Sequence, residues 1–394
     1  MNEPIKDQCK RRNGMKMKPL LLAALLALSI SSVGCSKESA TVSGKTDNSS
    51  APEAVDSEAV SVNDTNSDNA DSSSAPEIVD DESAFMKAAP AYDTEKAKSY
   101  ISGMQEIREL LNSAKAEREL TSFGDIKAPD DAVKKVKDEI AKLTADGHKV
   151  SLIMVDLETK SGVAYDPEIA MCTQSTIKAV YLGSVLDSHP EAYNEHSLDF
   201  RKAIVNSNND SYMALYDIYG KEPLEKWCEE VGVDKAFAES AFPRKYSAKD
   251  MIKLWTKLYC FLNSDDMQHS EFASYYADSA CSATKIMLGS KCPVQTKAGW
   301  ESGKDTWKNY DPRDPVPEKY RDGDPTNDES ATNDTGVVYT DNGPYIFVIY
   351  TDIPFSVYYD YIDPNPLNDL VVALNELQSG LHTGSSDSNE SGQG

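Results

Sequence analysis

The sequence has few basic residues: Lys and Arg number 40 against 65 Asp and Glu, and the formal net charge is −25. Binding to nucleic acid requires a basic surface that neutralises phosphates. Electrostatic attachment to anionic lipid also requires clustered basic side chains. The composition therefore argues against nucleic acid as a partner, and any association with a membrane is expected to need a covalent anchor.

Patterns typical of metal sites and of histidine-dependent triads are missing. The five histidines, at positions 148, 189, 196, 269 and 382, are scattered along the chain, and none fits the logic of a Ser-His-Asp triad. The seven cysteines and the histidines form no cluster with the spacing of a zinc site. We therefore expect neither a metal nor a cofactor.

An apolar run near the N-terminus, Leu20–Val33, is too short to span a bilayer comfortably. A basic segment precedes it, and Gly34-Cys35 follows it, so residues 1–34 are predicted to be an export signal. The small residue before the cysteine resembles a bacterial lipoprotein lipobox. It implies a diacylglycerol on Cys35 and an extracytoplasmic protein anchored to the cell membrane; the alternative is an ordinary secretory signal with an incidental cysteine.

Residues 35–95 are rich in Ser, Asp, Glu and Ala and contain almost no aromatic side chains. Such a segment buries too little apolar surface to offset its ordering entropy, so it is predicted to be a disordered acidic tether. The tail 381–394 is similar. Residues 96–127 are predicted to be a helical extension, which either packs on the folded domain or lengthens the tether. The folded domain is placed at 128–380.

Ser175 and Lys178 stand at the start of an apolar run and are three residues apart. In a helix this spacing places both side chains on one face. A serine hydroxyl becomes a good nucleophile only when a neighbouring base takes its proton. A lysine amine can be that base if burial and nearby cations lower its pKa.

Two later segments complete a motif set. Ser207-x-Asn209 opens a second amphipathic helix, and Lys297-Ala298-Gly299 lies in a predicted strand. Ser-x-x-Lys, Ser-x-Asn and Lys-[Ser/Thr]-Gly, in this order, resemble the motifs of penicillin-recognising serine hydrolases. Their order and spacing are similar to those of the class A β-lactamase-like family, and the resemblance covers roughly residues 128–378.

The flanking segments agree with this resemblance. Residues 149–166 look like the first hairpin of that fold, and 333–339 and 345–350 look like its last two strands, joined by a strong turn signal at Asp341-Asn342-Gly343. The resemblance implies an α+β fold: an antiparallel five-stranded sheet flanked by helices, with an all-α subdomain and the active site at the junction.

The resemblance also implies roles for individual residues. Ser175 attacks the carbonyl of a β-lactam or of a D-Ala-D-Ala-type peptide, Lys178 accepts its proton, and Ser207 relays a proton to the leaving nitrogen. Substrate is held by the remaining motif residues Asn209, Lys297, Gly299 and Trp300. The oxyanion hole is expected from the backbone N–H groups of Ser175 and Trp300.

Two departures from the family pattern bear on the chemistry. Ala298 replaces a Ser or Thr whose hydroxyl helps to bind the substrate carboxylate, and Thr296 is expected to point elsewhere because side chains alternate along a strand. Class A β-lactamases also carry an omega-loop glutamate that activates the deacylating water. The segment 233–245 is too short for that loop, and we expect its one glutamate, Glu239, to be a surface residue.

A further departure is an insertion at 301–332, which leaves the active-site strand and is rich in Asp, Pro, Lys and Gly. It is expected either to gate the cleft or recognise a larger substrate, or to be an acidic surface loop. An exported domain permits disulfides. Cys281 can pair with Cys292, and the family fold places Cys228 and Cys260 on neighbouring helices, which leaves Cys172 near the nucleophile.

Two functions follow from these observations. The first is an exported, lipid-anchored serine hydrolase, a monomer acylated by β-lactams or peptidoglycan-stem-like peptides, with slow hydrolysis of β-lactams because the omega-loop glutamate is missing. The second is a catalytically weak cell-envelope or peptidoglycan-binding lipoprotein that retains the fold. Ala298 and the insertion favour the second function, and the complete set of catalytic side chains favours the first.

Overall fold

The computed structural model describes residues 93–243, 246–265, 267, 270–301, 330–356, 359 and 364–383. The predicted export signal, Cys35, almost all of the predicted tether, most of the insertion and most of the tail lie outside these residues. Within the described part, no helix is long and apolar enough to cross a membrane.

The described strands form one antiparallel sheet of six strands in the order β1-β3-β2-β6-β5-β4. The strands are β1 (Thr121–Phe123), β2 (Val150–Asp156), β3 (Ser161–Tyr165), β4 (Val294–Glu301), β5 (Ala331–Thr340) and β6 (Gly343–Thr351). Gly343, in the predicted turn between β5 and β6, has a φ of 126°, which favours glycine. The α+β class is confirmed.

Helices cover both faces of this sheet. They are α1 (Thr94–Ser99), α2 (Met104–Asn112), α3 (Asp130–Thr144), α4 (Ile177–Ser188), α5 (Ala192–Val205), α6 (Asn209–Tyr219), α7 (Glu222–Val231), α8 (Ala248–Leu262), α9 (Ser270–Tyr275), α10 (Ala283–Leu288) and α11 (Asn368–Thr383). Helices α3 and α11 pack on one face, and α4 and α8 belong to the larger helical layer on the other.

The alternation of side chains along β2 divides the core between these two layers. Leu152 and Met154 point to the layer of α3 and α11, whereas Ile153 and Val155 point to the larger helical layer. Because both faces are covered, every residue of β2 and β6 is buried. In the larger layer, α4 is buried without interruption from Ile177 to Leu186, so it is the central helix of that layer.

The sheet has one strand more than the five expected, because the segment predicted to be a helical extension supplies β1, which pairs with β3. The rest of that segment packs on the domain. Met104, Ile107 and Leu111 of α2 are buried in the same core as α4 and α8. Arg108 donates from Nε to Thr256 Oγ1 at 2.7 Å. Of the two arrangements left open by the sequence, the structure has the extension packed on the domain.

The suggested disulfides do not form. No disulfide joins Cys228 to Cys260 or Cys281 to Cys292. Cys260 Sγ instead lies 4.0 Å from Arg108 Nη2, and Cys292 Sγ lies 3.7 Å from Leu288 O. Two cysteines on neighbouring helices do not pair for that reason alone. A disulfide also requires their Cβ atoms to face each other at short range.

Candidate active site

Ser175 lies in a short 3-10 turn, Gln174–Thr176, at the N-terminus of the buried helix α4. The preceding residue, Gln174, has a φ of 49°, a conformation that costs energy for a residue with a side chain. Ser175 itself is half-buried. Strained backbone of this kind is concentrated at functional sites, and here it presents the serine at the edge of the domain core.

Polar contacts from distant parts of the chain hold this turn. Asn333 of β5 donates from Nδ2 to Cys172 O at 2.8 Å, and its Oδ1 accepts from Thr351 N at 2.9 Å. Thr173 donates from Oγ1 to Pro243 O at 2.9 Å. Asn333 was not anticipated as a site residue. In the sequence, its signal is an amide side chain inside a predicted strand. The structure shows that this strand is buried along almost its whole length.

Lys178 is fully buried and is the second residue of α4. Its Nζ donates to Ser207 O at 2.6 Å and to Asn209 Oδ1 at 2.5 Å, and lies 3.4 Å from Ser207 Oγ. Burial holds the pKa of Lys178 well below its usual value, and the charge of Lys297 lowers it further. The direction of this shift favours the neutral amine that a general base requires.

The sequence motif predicts that Ser175 and Lys178 share one face of a helix. In the structure, the Lys178 side chain is directed toward the Ser207-x-Asn209 motif. In the described residues, the acceptors of Lys178 Nζ belong to Ser207 and Asn209, and Ser175 Oγ is not among them. Catalytic hydrogen bonds often form only in the substrate complex. Without substrate, the Lys178 amine therefore lies on the Ser207 side of the cleft.

Lys297 enters from β4 and is also fully buried. Its Nζ donates to Ser207 Oγ at 2.9 Å and to Ala298 O at 2.9 Å, and lies 5.5 Å from the centre of the Trp300 ring. Burial lowers its pKa to about 7, against the opposing charges of Cys281 and Asp334. Lys297 is therefore charged below neutral pH and loses its proton as the pH rises above it.

Ser207 lies between the two amines, in the connection from α5 to α6, with a φ of 56°. Ala280 N donates to Val205 O at 2.9 Å and ties this connection to the segment before α10. Asn208, rather than Asn209, caps α6, and its Oδ1 accepts from Ser211 N. Asn209 is left to accept from Lys178, so the second motif joins the first motif directly.

Gly299 brings β4 against the nucleophile turn. A β-carbon at this position would lie 2.8 Å from Thr173 O and 2.9 Å from Ser175 N, closer than side chains tolerate. Only glycine therefore permits this approach. The two expected oxyanion donors, the N–H groups of Ser175 and Trp300, consequently belong to segments in direct contact.

Neither of the two residues that flank Lys297 supplies the missing hydroxyl. Ala298 is buried, and Asp334 stands opposite it in β5. Thr296 is fully buried, and its Oγ1 has no hydrogen-bond partner among the described residues. Its methyl lies beside Gly336 of β5.

Asp334 is itself a buried carboxyl near the site. It accepts hydrogen bonds from Thr284 N at 2.8 Å and Ser282 Oγ at 3.0 Å. Burial raises its pKa to about 6, although these donors oppose the shift. The carboxyl is thus bound to α10 and its cap, and acts on Lys297 through its charge alone.

Aromatic side chains occupy the surroundings of Lys178 on the side of the shortened segment. The Lys178 Nζ lies 5.5 Å from the ring centre of Tyr212 and 5.7 Å from that of Phe242. Tyr212 donates to Ala241 O at 2.7 Å, and the two rings meet edge to face at 5.1 Å. Glu239 is exposed. The sequence did not reveal this aromatic cap of Tyr212 and Phe242, because neither residue belongs to a motif.

Three comparisons with known proteins bear on this site. Residues 200–360 match the model of the beta-lactamase enzyme family. This stretch contains Ser207, Asn209 and Lys297, whereas Ser175 and Lys178 precede it. No curated protein matches the chain.

Among solved structures, the chain is similar to a β-lactamase from Chitinophaga pinensis, with 12% identity, a TM-score of 0.44, and coverage of 65% of this chain and 100% of that one. A β-lactamase from Desulfarculus baarsii has 14% identity, a TM-score of 0.43, and coverage of 62% and 96%. A representative class A β-lactamase from Bacteroides cellulosilyticus has 13% identity, a TM-score of 0.42, and coverage of 64% and 98%.

The family match includes two of the three motifs, and the structure brings all three motifs together around Ser207. The resemblance seen in the sequence is confirmed over residues 200–360, which match the beta-lactamase enzyme family.

Proposed function

We propose that this protein is an exported serine hydrolase that is acylated on Ser175 by β-lactams or D-Ala-D-Ala-type peptides and hydrolyses the resulting acyl-enzyme. The observation that carries the proposal is the Ser207 hydroxyl, which lies 3.4 Å from Lys178 Nζ and 2.9 Å from Lys297 Nζ. Two buried amines that share one hydroxyl form a route along which a proton can move across the site.

In the acylation step, Ser175 Oγ bonds to the substrate carbonyl carbon and gives its proton to the neutral amine of Lys178. The carbonyl oxygen, now negative, is held by the N–H groups of Ser175 and Trp300; one such donor typically contributes about 2.7–4 kcal/mol in the transition state. The C–N bond then breaks, and Ser207 passes a proton from Lys178 to the leaving nitrogen. Charged Lys297 holds the substrate carboxylate, and Asn209 holds the amide of the substrate.

In the deacylation step, water must attack the ester on Ser175, and a base must take a proton from that water. Glu239 is exposed, and the aromatic rings of Tyr212 and Phe242 lie beside Lys178. General-base assistance typically contributes about 10²–10⁴-fold. We therefore expect the acyl-enzyme formed with a penicillin to decay slower by a factor of that order than in an enzyme with a positioned carboxylate.

Intact-protein mass spectrometry tests both steps. The protein is mixed with a penicillin, and the adduct is followed over time in wild type, in Ser175→Ala, and in Ser274→Ala, which alters an exposed serine as a matched control. We expect a persistent adduct in wild type and control and no adduct in Ser175→Ala. Absence of both adduct and turnover in wild type would favour the binding lipoprotein instead.

Export and lipid attachment are part of the same proposal and are supported by the sequence alone. Cys35 follows Gly34 at the end of the apolar run. Processing of the precursor should be blocked by globomycin, and Cys35→Ala should abolish partitioning into the detergent phase. A Cys35→Ala variant that still partitions with membranes would show that the anchor lies elsewhere.

A further inference from the structure

A polar cleft outside the active site lies between the start of α8 and the end of α2. Its volume is ≈ 450 Å³, and it is lined among others by Asn112, Glu168, Lys249, Asp250 and Lys253. Asn112 belongs to the extension that precedes the family domain, so this chain builds the cleft from its own additional segment. Tyr246, another lining residue, forms a β-bridge with Met171.

One of the two lysines in the cleft is fully engaged. Lys249 Nζ donates to Asn112 O at 3.0 Å, to Ala114 O at 3.2 Å and to Glu168 Oε1 at 2.7 Å. An ammonium group has three donors, and all three are used here. Lys249 therefore joins α8 to the extension and has no donor left for a ligand, and its ion pair with Glu168 offsets the charge of that carboxylate.

The other lysine has no partner of its own. Lys253 is 8% exposed, and among the described residues its ammonium makes no hydrogen bond and no ion pair. Its Nζ is not among the buried atoms that lack a partner, so the small exposed part of the residue includes the ammonium. The aliphatic stem is covered and Lys253 lines the cleft, so the ammonium offers its donors to an occupant.

A carboxylate stands one turn before Lys253 on the same face of α8. Asp250 Oδ2 accepts from Ser247 Oγ at 2.6 Å. Asp250 and Lys253 are not within ion-pair distance of each other in the described structure. The cleft therefore presents one positive and one negative group that are separate, and each retains hydrogen-bonding capacity.

We propose that this cleft binds a small zwitterion of the α-amino acid class, with its carboxylate on Lys253 and its ammonium on Asp250. A simple anion would meet the Asp250 charge as well, and a simple cation would meet Lys253. An α-amino acid carries an ammonium and a carboxylate on one carbon, so it can satisfy both groups at once. The cleft is large enough for such a molecule, since ligand pockets typically occupy about 300–1,000 Å³.

Isothermal titration calorimetry on the purified protein tests the proposal with four probes: D-alanine, L-alanine, N-acetylalanine and alaninamide. At least one alanine enantiomer should bind saturably. Each blocked analogue lacks one charge and should bind at least about tenfold more weakly, the change expected when a charged hydrogen bond is lost. Lys253→Met should weaken alanine binding by a similar factor, and Lys226→Met, on the exposed face of α7, should leave it unchanged.

Ser175→Ala separates this cleft from the active site. Alanine binding that persists in Ser175→Ala and falls in Lys253→Met assigns the ligand to the cleft. Binding that disappears in Ser175→Ala, blocked analogues that bind as well as alanine, or no saturable heat up to roughly ten millimolar alanine would overturn the proposal. The comparison of analogues requires only wild-type protein, so a Lys253→Met variant that fails to fold would not prevent a decision.

Discussion

At the scale of single residues, the site depends on two lysines whose pKa values are lowered by the same cause. Both are fully buried, and each donates to Ser207, but they need opposite protonation states. In the proposed mechanism, Lys178 must be neutral to accept the proton of Ser175, and Lys297 must be charged to hold a carboxylate. Burial lowers the pKa of Lys178 well below its usual value and that of Lys297 to about 7. In the proposed mechanism, the acid limb of activity therefore reports Lys178 and the alkaline limb reports Lys297.

The first prediction concerns the alkaline limb of the pH profile. Lys297 loses its proton above pH about 7, so the second-order rate of acylation by a penicillin should fall about tenfold per pH unit above that value. This rate reports the free enzyme, in which no substrate carboxylate yet stabilises the ammonium. Stopped-flow or quenched mass spectrometry between pH 6 and 9 measures it.

A neutral ester substrate without a carboxylate is the control for this limb. It does not need the charge of Lys297 for binding, and its acylation should lack the decline. A penicillin profile that stays flat through this pH range would mean that Lys297 keeps its proton, or that the carboxylate is bound by another group.

The second prediction concerns the acid limb, which reports Lys178. Phe242→Ala should let water approach the amine, reduce its desolvation and raise its pKa. More of the amine is then protonated at a given pH, so the acid limb of the acylation rate should shift to higher pH. Phe242→Leu, which keeps an apolar side chain there, should shift the limb less. An unshifted acid limb in Phe242→Ala would show that the ring does not exclude water from Lys178.

At the scale of secondary-structure elements, the site depends on how closely β4 approaches the turn that carries Ser175. The third prediction is that Gly299→Ala lowers the acylation rate by about 10²–10³-fold, comparable with the loss of an oxyanion donor. The new β-carbon would lie 2.9 Å from Ser175 N and push strand and turn apart.

Gly103→Ala is the matched control, because a β-carbon there meets nothing closer than 3.9 Å. Its acylation rate and thermal midpoint should match wild type. If Gly299→Ala acylates at the wild-type rate, β4 does not position the oxyanion hole in the proposed way.

Elements were predictable from the sequence where a local pattern defined them. The resemblance of 149–166, 333–339 and 345–350 to strands of the family, with the Asp341-Asn342-Gly343 turn, predicted β2, β5 and β6, and the apolar run after Ser175 predicted α4. Strand β1 was missed because it has three residues, too few to show a period, and its only support is pairing with β3. The disulfides were wrongly suggested because sequence separation says nothing about the direction of the side chains.

At the scale of the whole molecule, the order of the motifs was enough to predict that Lys178, Ser207 and Lys297 meet. Their supporting residues could not be predicted, since each acts through a contact between segments far apart in the chain. Asn333 reaches the nucleophile turn across 161 residues. Phe242 approaches Lys178 only because the segment after α7 is folded against Tyr212. Such contacts depend on tertiary packing, which no local pattern records.

Whether the extension unfolds together with the rest of the domain is also a property of the whole molecule. Met104 is buried in the core shared with α4 and α8, and Tyr259 of α8 donates to Ala97 O at 2.8 Å. The fourth prediction is that Met104→Ala lowers the free energy of unfolding by about 2–5 kcal/mol, the usual cost of such a cavity. Thermal or denaturant unfolding should remain a single transition that moves as a whole, because the extension fills the same core.

Gln105→Ala, on the exposed face of the same helix, should leave the unfolding midpoint nearly unchanged. A separate early transition in Met104→Ala, with the main transition and the rate of Ser175 acylation unaffected, would show that the extension unfolds independently. In that case the cleft between α2 and α8 would also open without loss of the active site, so the alanine-binding measurement on the same variant would lose its signal while acylation persisted. The two readouts together determine whether the extension and the hydrolase domain form one cooperative unit.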